Sequence, residues 1–146
     1  MGTSMARAAR WNTVPGYLQR ANAEICVIVQ AETVTAIENL GAITNTPGVD
    51  GVFFGPSDLS ASMGHAGDVS HREVVEAIST GLRTVRAAGK NAGLLCLDES
   101  QVPHYVDCGA NFVGVGVDTL LLGNSARALA ALYDSDDDDA STPAGY

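Results

Sequence analysis

The chain has 146 residues, 46% hydrophobic, 17% charged and 5% aromatic, the make-up of an ordinary globular protein long enough for one cored domain. Its formal net charge of −9 is concentrated at one end, because Asp134, Asp136, Asp137, Asp138 and Asp139 supply five of the 17 acidic residues. An acidic body without a lysine or arginine cluster argues against nucleic acid and against membrane surfaces, since phosphate binding rests on positive charge.

The opening residues, Met1-Gly2-Thr3-Ser4-Met5-Ala6, lack the apolar core of a signal peptide, so a cytoplasmic location is expected. Met5–Asn22 reads as a helix, a break at Pro15-Gly16 and a second short helix. Short, nearly continuous apolar runs then alternate with longer stretches of helical period. The runs are Ile25–Val29, Val49–Gly55, Ala92–Leu97 and Phe112–Val117, and they read as strands of a parallel sheet. Between them, Thr33–Thr44 and Ser70–Ala88 repeat apolar residues at intervals of three and four, and a shorter helix is expected over Ser100–Asp107 before a C-terminal glycine at Gly109. Thr119–Tyr133 is expected as the last helix. Residues 1–133 are therefore taken as one α/β domain, and 134–146 as an acidic disordered tail. Cys26, Cys96 and Cys108, an odd number lying in or beside apolar runs, are expected as reduced, buried thiols.

No glycine-rich phosphate loop follows the first strand, where Gln30-Ala31-Glu32-Thr33 stands, so a dinucleotide fold is disfavoured. A (β/α)8 barrel takes about 250 residues, and four β/α units would make roughly half of one. In such folds chemistry sits at the C-terminal strand tips, and there the alternation of side chains turns Gln30 and Glu32 to one face. The second strand runs into Gly55-Pro56-Ser57-Asp58, in which Gly55 allows close backbone approach and Ser57 or Asp58 opens a helix. Neighbouring strands are about 4.8 Å apart, close enough for Glu32 and Asp58 to share one hard divalent cation. The plainer readings are that Glu32 caps the next helix and that Ser57 or Asp58 is an N-cap. Asp98, Glu99 and Asp118 read as caps, His71 as a helix start, His104 as a helix residue beside Tyr105, and His65 as a loop residue that could lie near a site.

The segments Gln30-Ala31-Glu32, Gly51–Ser60 and Phe112–Asp118 resemble the HpcH/HpaI aldolase family of metal-dependent pyruvate aldolases, and Ala6–Asn12 is similar to the segment before the fifth strand of that family's barrel. The resemblance implies the C-terminal portion, about strands five to eight, of a TIM (β/α)8 barrel. It implies that Glu32 and Asp58 hold Mg2+, Mn2+ or Co2+, and that Gln30, Gly55, Ser57 and Asp58 bind substrate. The implied reaction is reversible cleavage of a 4-hydroxy-2-oxo acid to pyruvate and an aldehyde. The histidine base and arginine of the family lie in segments that nothing here matches, so no catalytic residue is assigned and the chain alone is expected to be impaired. Exposed strand edges and the oligomers of the family lead to an expected homo-oligomer. A non-catalytic oligomerisation or oxo-acid-binding module, and a citrate-lyase-like C–C lyase, are the alternatives.

Overall fold

The computed structural model describes residues 6–133; the segment 134–146, expected as a disordered tail, lies outside the described residues. Four strands, β1 (Ile28–Ala31), β2 (Gly51–Phe54), β3 (Asn91–Leu95) and β4 (Phe112–Gly114), form one parallel sheet in the order β1-β2-β3-β4. Parallel crossovers are right-handed, so a strictly sequential order sends every connecting helix to the same side of the sheet. That is the arrangement of a barrel wall. A doubly wound sheet would reverse its strand order and carry helices on both faces. The expected portion of a TIM barrel is therefore present.

The helices are α1 (Tyr17–Glu24), α2 (Val34–Glu38), α3 (Leu40–Asn45), α4 (Pro56–Ser62), α5 (Arg72–Ala87), α6 (Val102–Asp107) and α7 (Asp118–Ala131). Ala31, Val52, Phe54, Ala92 and Leu94 line the covered face of the sheet and pack with Leu40, Leu59, Val74, Ile78, Leu82 and Val85 in one buried core. The α5 residues recur every three or four positions, as an amphipathic helix requires. Gly81 is needed in α5, since a Cβ there would stand 2.6 Å from the Phe54 ring. The alternate strand residues, Gln30, Phe53, Leu95 and Phe112, belong to the other face and are outside this core. There the rings of Phe53 and Phe112 approach to 5.6 Å between centroids, with Gly93 paired between them in the register.

Several expectations shift. The first apolar run enters the ladder only at Ile28, and Ile25, Cys26 and Val27 stay exposed, so Cys26 is not a buried thiol; Cys96 and Cys108 are buried and free. The expected helix over Thr33–Thr44 is divided at Asn39, whose Nδ2 donates to the Thr35 carbonyl at 2.8 Å and competes with the backbone ladder. In the N-terminal stretch a 3-10 turn over Arg7–Ala9 gives way to three consecutive residues with positive φ, Arg10, Trp11 and Asn12, and α1 starts only after Gly16. Gly109, at φ 105°, does close α6 as a C-terminal glycine.

Candidate active site

Glu32 follows the last residue of β1, and its capping role falls to the next residue. The Thr33 hydroxyl accepts from the Ala36 amide at 3.1 Å and caps α2. The N-cap position of α4 is Gly55, which offers no side-chain cap, with Pro56 in the first position; Ser57 and Asp58 lie inside its first turn. Neither plain capping reading holds. Among the described residues, the carboxylates of Glu32 and Asp58 make no side-chain hydrogen bond.

The turn between β2 and α4 is fastened to β1, and α4 to the start of α2. The Gly55 amide donates to the Ala31 carbonyl at 3.2 Å, which extends the β1–β2 ladder and brings Gly55 beside Glu32. At the far end of α4, the Ser62 hydroxyl accepts from the Val34 amide at 3.0 Å. The side chains of Gln30 and Glu32 converge over Gly55: a Cβ on that glycine would lie 2.9 Å from Glu32 Oε2 and 3.2 Å from Gln30 Nε2. The structure thus brings together Gln30, Glu32 and Gly55. It sets Ser57 and Asp58, both exposed, in the turn that begins there.

Beside Ser57 opens a cavity of about 160 Å3, walled by Pro56, Val69, Val75, Leu95, Cys96 and Tyr105 among others. Burial pushes both the Cys96 thiol and the Tyr105 hydroxyl up from their ordinary values, so both remain protonated near neutrality. Asp98, on the same wall, caps the turn Glu99–Gln101 by accepting from the Ser100 hydroxyl at 2.6 Å and its amide at 2.9 Å; these bonds hold its carboxyl below the usual range. Asp118 accepts from the Thr119 amide at 2.8 Å. Of the three expected caps only Asp98 is one: Glu99 lies inside the turn that Asp98 caps, and Asp118 is the first residue of α7, whose N-cap is Val117.

The histidines form a feature that sequence reasoning missed. His65 and His71 stack with ring centroids 3.5 Å apart, and His65 Nε2 lies 3.0 Å from Glu73 Oε2. Together the three residues offer ligand atoms within 4.8 Å of one another. The signal was available as two histidines flanking a Gly-rich loop with an acid two positions on. His104 stands apart, with Nε2 2.9 Å from the Ser79 hydroxyl.

Residues 4–125 match the family described as HpcH/HpaI aldolase/citrate lyase. A hydroxypyruvate/pyruvate aldolase from Deinococcus radiodurans is 53% identical over 133 residues, which cover 91% of this chain and 48% of that protein. A 4-hydroxy-2-oxo-heptane-1,7-dioate aldolase from Shigella sonnei is 51% identical over 133 residues, 91% of this chain and 51% of its own. The crystal structure of an HpcH/HpaI aldolase/citrate lyase family protein from Burkholderia cenocepacia superposes with a TM-score of 0.79 at 36% identity, over 92% of this chain and 52% of the other. The chain spans about half the length of the curated relatives it matches.

Proposed function

The chain belongs to the HpcH/HpaI aldolase/citrate lyase family, and from that membership we propose that it carries the cation- and oxo-acid-binding part of a class II aldolase site. The observation that carries this reading is the convergence of Glu32 and Gln30 on Gly55, with α2 capped by Thr33 and the N-cap position of α4 held by Gly55. Two carboxylates without structural duties form an all-oxygen donor set suited to Mg2+, Mn2+ or Co2+, and a bare Gly55 leaves the room a side chain would fill.

Glu32 and Asp58 are the proposed ligands. A divalent cation held there would polarise the keto and carboxylate oxygens of a 2-oxo acid and stabilise the enolate released by cleavage of a 4-hydroxy-2-oxo acid to pyruvate and an aldehyde. The Gln30 amide donates to an oxygen of the oxo acid. The first-turn amides of Ser57 and Asp58 have no partner within their helix, and they receive the substrate carboxylate. No histidine of the chain is assigned as the base: His65 is engaged by Glu73, His71 accepts from the amide of Glu73, and His104 bonds Ser79. Turnover by this chain alone is therefore expected to fall about 10²–10⁴-fold below that of an enzyme with its base in position.

The proposed partners are pyruvate or another small 2-oxo acid, an aldehyde, and further protein. Leu121, Leu122, Leu129 and Leu132 of the α7 region are exposed, and no α7 residue is buried, so this helix supports assembly into a homo-oligomer.

The test is calorimetric titration of Mn2+ into the chain, with and without oxalate as an enolate mimic. Binding that tightens with oxalate and is lost in Glu32→Ala and in Asp58→Ala supports the reading. Binding to a folded chain that ignores both substitutions would overturn it and leave a non-catalytic assembly module in front.

A further inference from the structure

We propose a second cation site, built from His65, His71 and Glu73 on the loop between α4 and the first turn of α5 and suited to Zn2+ rather than Mg2+. The ligand atoms of all three lie within 4.8 Å of one another, and the two imidazoles are held nearly parallel, at 15° between planes. The loop that presents them is already ordered. The His65 amide donates to the Ser60 carbonyl at 2.7 Å, the Asp68 amide to the His65 carbonyl at 2.9 Å, and the His71 amide to the Asp68 carbonyl at 3.3 Å. Gly64 and Gly67, at φ 86° and 84°, make the turns on either side of His65. With the loop already ordered, the two stacked rings need only turn so that their in-plane lone pairs meet at one ion, and binding loses little further ordering entropy.

Each ligand has a lone pair to give at small cost. Glu73 is exposed, and its carboxyl is held below the ordinary range by the hydrogen bond from His65, so it is ionised at neutral pH. His71 Nδ1 accepts from the Glu73 amide at 3.3 Å, beyond the usual range for such a bond, so an ion that takes this lone pair displaces a weak cap. His65 Nε2 lies 3.0 Å from Glu73 Oε2, and it faces that carboxylate through a proton in the Nε2–H tautomer. In the tautomer with its proton on Nδ1, Nε2 is free for the ion, and a ring that carries both protons gives one up to solvent as the ion binds. Two imidazoles and one carboxylate are a borderline donor set of the kind that binds Zn2+ at 2.0–2.2 Å, while the all-oxygen pair of Glu32 and Asp58 suits harder ions. The two sites are thus separable by metal as well as by residue.

Occupancy would also reach the cavity beside Ser57. Val69 and Ser70 line it and lie in the segment between His65 and His71, so an ion across these histidines pins that wall to α5.

The experiment titrates Zn2+ into the 146-residue chain carrying Glu32→Gln and Asp58→Asn, with Mg2+ in excess, by calorimetry and by the NMR signals of its three histidines. One Zn2+ should bind, shifting the ring signals of His65 and His71 and leaving those of His104 in place. His65→Phe keeps the ring stack, and His71→Ser keeps an oxygen to cap α5; each should weaken Zn2+ by at least the roughly 10–100-fold that follows loss of a mere supporting contact. Absence of Zn2+ binding by the folded chain, an affinity indifferent to both substitutions, or equal shifts at all three histidines would each overturn the site.

Discussion

The two faces of the sheet are built to different ends. On the covered face Ala31, Val52, Phe54, Ala92 and Leu94 are almost wholly removed from solvent and touch the helices; on the open face Gln30, Phe53, Leu95 and Phe112 alternate with them and remain partly or fully accessible. One face carries the stability and the other carries the proposed site. A four-strand wall can therefore keep its proposed ligands in position without surrounding them, because the register of β1 on β2, set by the covered residues, also fixes Glu32 against Gly55.

The sharpest test of this division is Phe54→Ala. It should remove about 3–5 kcal/mol from the stability, read as a lowered urea midpoint, whereas Gln30→Ala on the open face should stay within about 0.5 kcal/mol. If Gln30→Ala proves as costly as Phe54→Ala, the faces do not divide in this way. Next in size is Gly55→Ala. Its methyl group would meet Glu32 Oε2 at 2.9 Å, and Mn2+ affinity should fall about 10–100-fold in calorimetry while the urea midpoint moves little.

Much of this division was legible in the amino-acid pattern, and its failures have physical causes. The apolar runs located all four strands, because strands covered on one face and facing a barrel interior on the other are apolar throughout. The same continuity hid where pairing begins. Ile25 is as apolar as Ile28, yet the ladder starts only at Ile28, and the Val27 amide is taken by the Asp50 carboxylate at 2.7 Å. At the proposed site, residue types and strand alternation pointed to Gln30, Glu32 and Gly55, which the structure brings together. They could not decide between ligand and cap, since a carboxylate there suits either a cation or the positive start of a helix, and only the geometry shows that Thr33 is the cap. The histidine cluster is not legible in the periodicity of the sequence because it forms through a loop, where no strand or helix period relates His65 to His71 and Glu73.

Two smaller effects sharpen the comparison. Thr33→Ala should cost about 1 kcal/mol through loss of the α2 cap, with Mn2+ binding largely intact; a cost near zero would mean that Glu32 can take over the cap. The smallest concerns pH. The depressed Asp98 carboxyl stabilises the fold above the unfolded carboxylate value, and this contribution disappears as pH falls through its lower folded value. Ser100→Ala removes the hydroxyl and should raise the Asp98 midpoint in a carboxyl NMR titration; an unmoved midpoint would assign the depression to the amide alone.

The sequential strand order also bears on how the chain assembles. Every sheet pairing joins neighbours along the chain, so each β/α unit can settle on the one synthesised before it without waiting for a distant partner. The connections are unequal: Ile28 pairs with Gly51 and Gly93 with Phe112, while Gly51 must find Asn91 across a segment that holds both α4 and α5. Closing that longest loop loses the most chain entropy, so the β2–β3 docking is the expected kinetic bottleneck. Val52→Ala should accordingly slow refolding in stopped-flow experiments, whereas Val113→Ala should chiefly hasten unfolding; the opposite pattern would move the rate-limiting step to another junction.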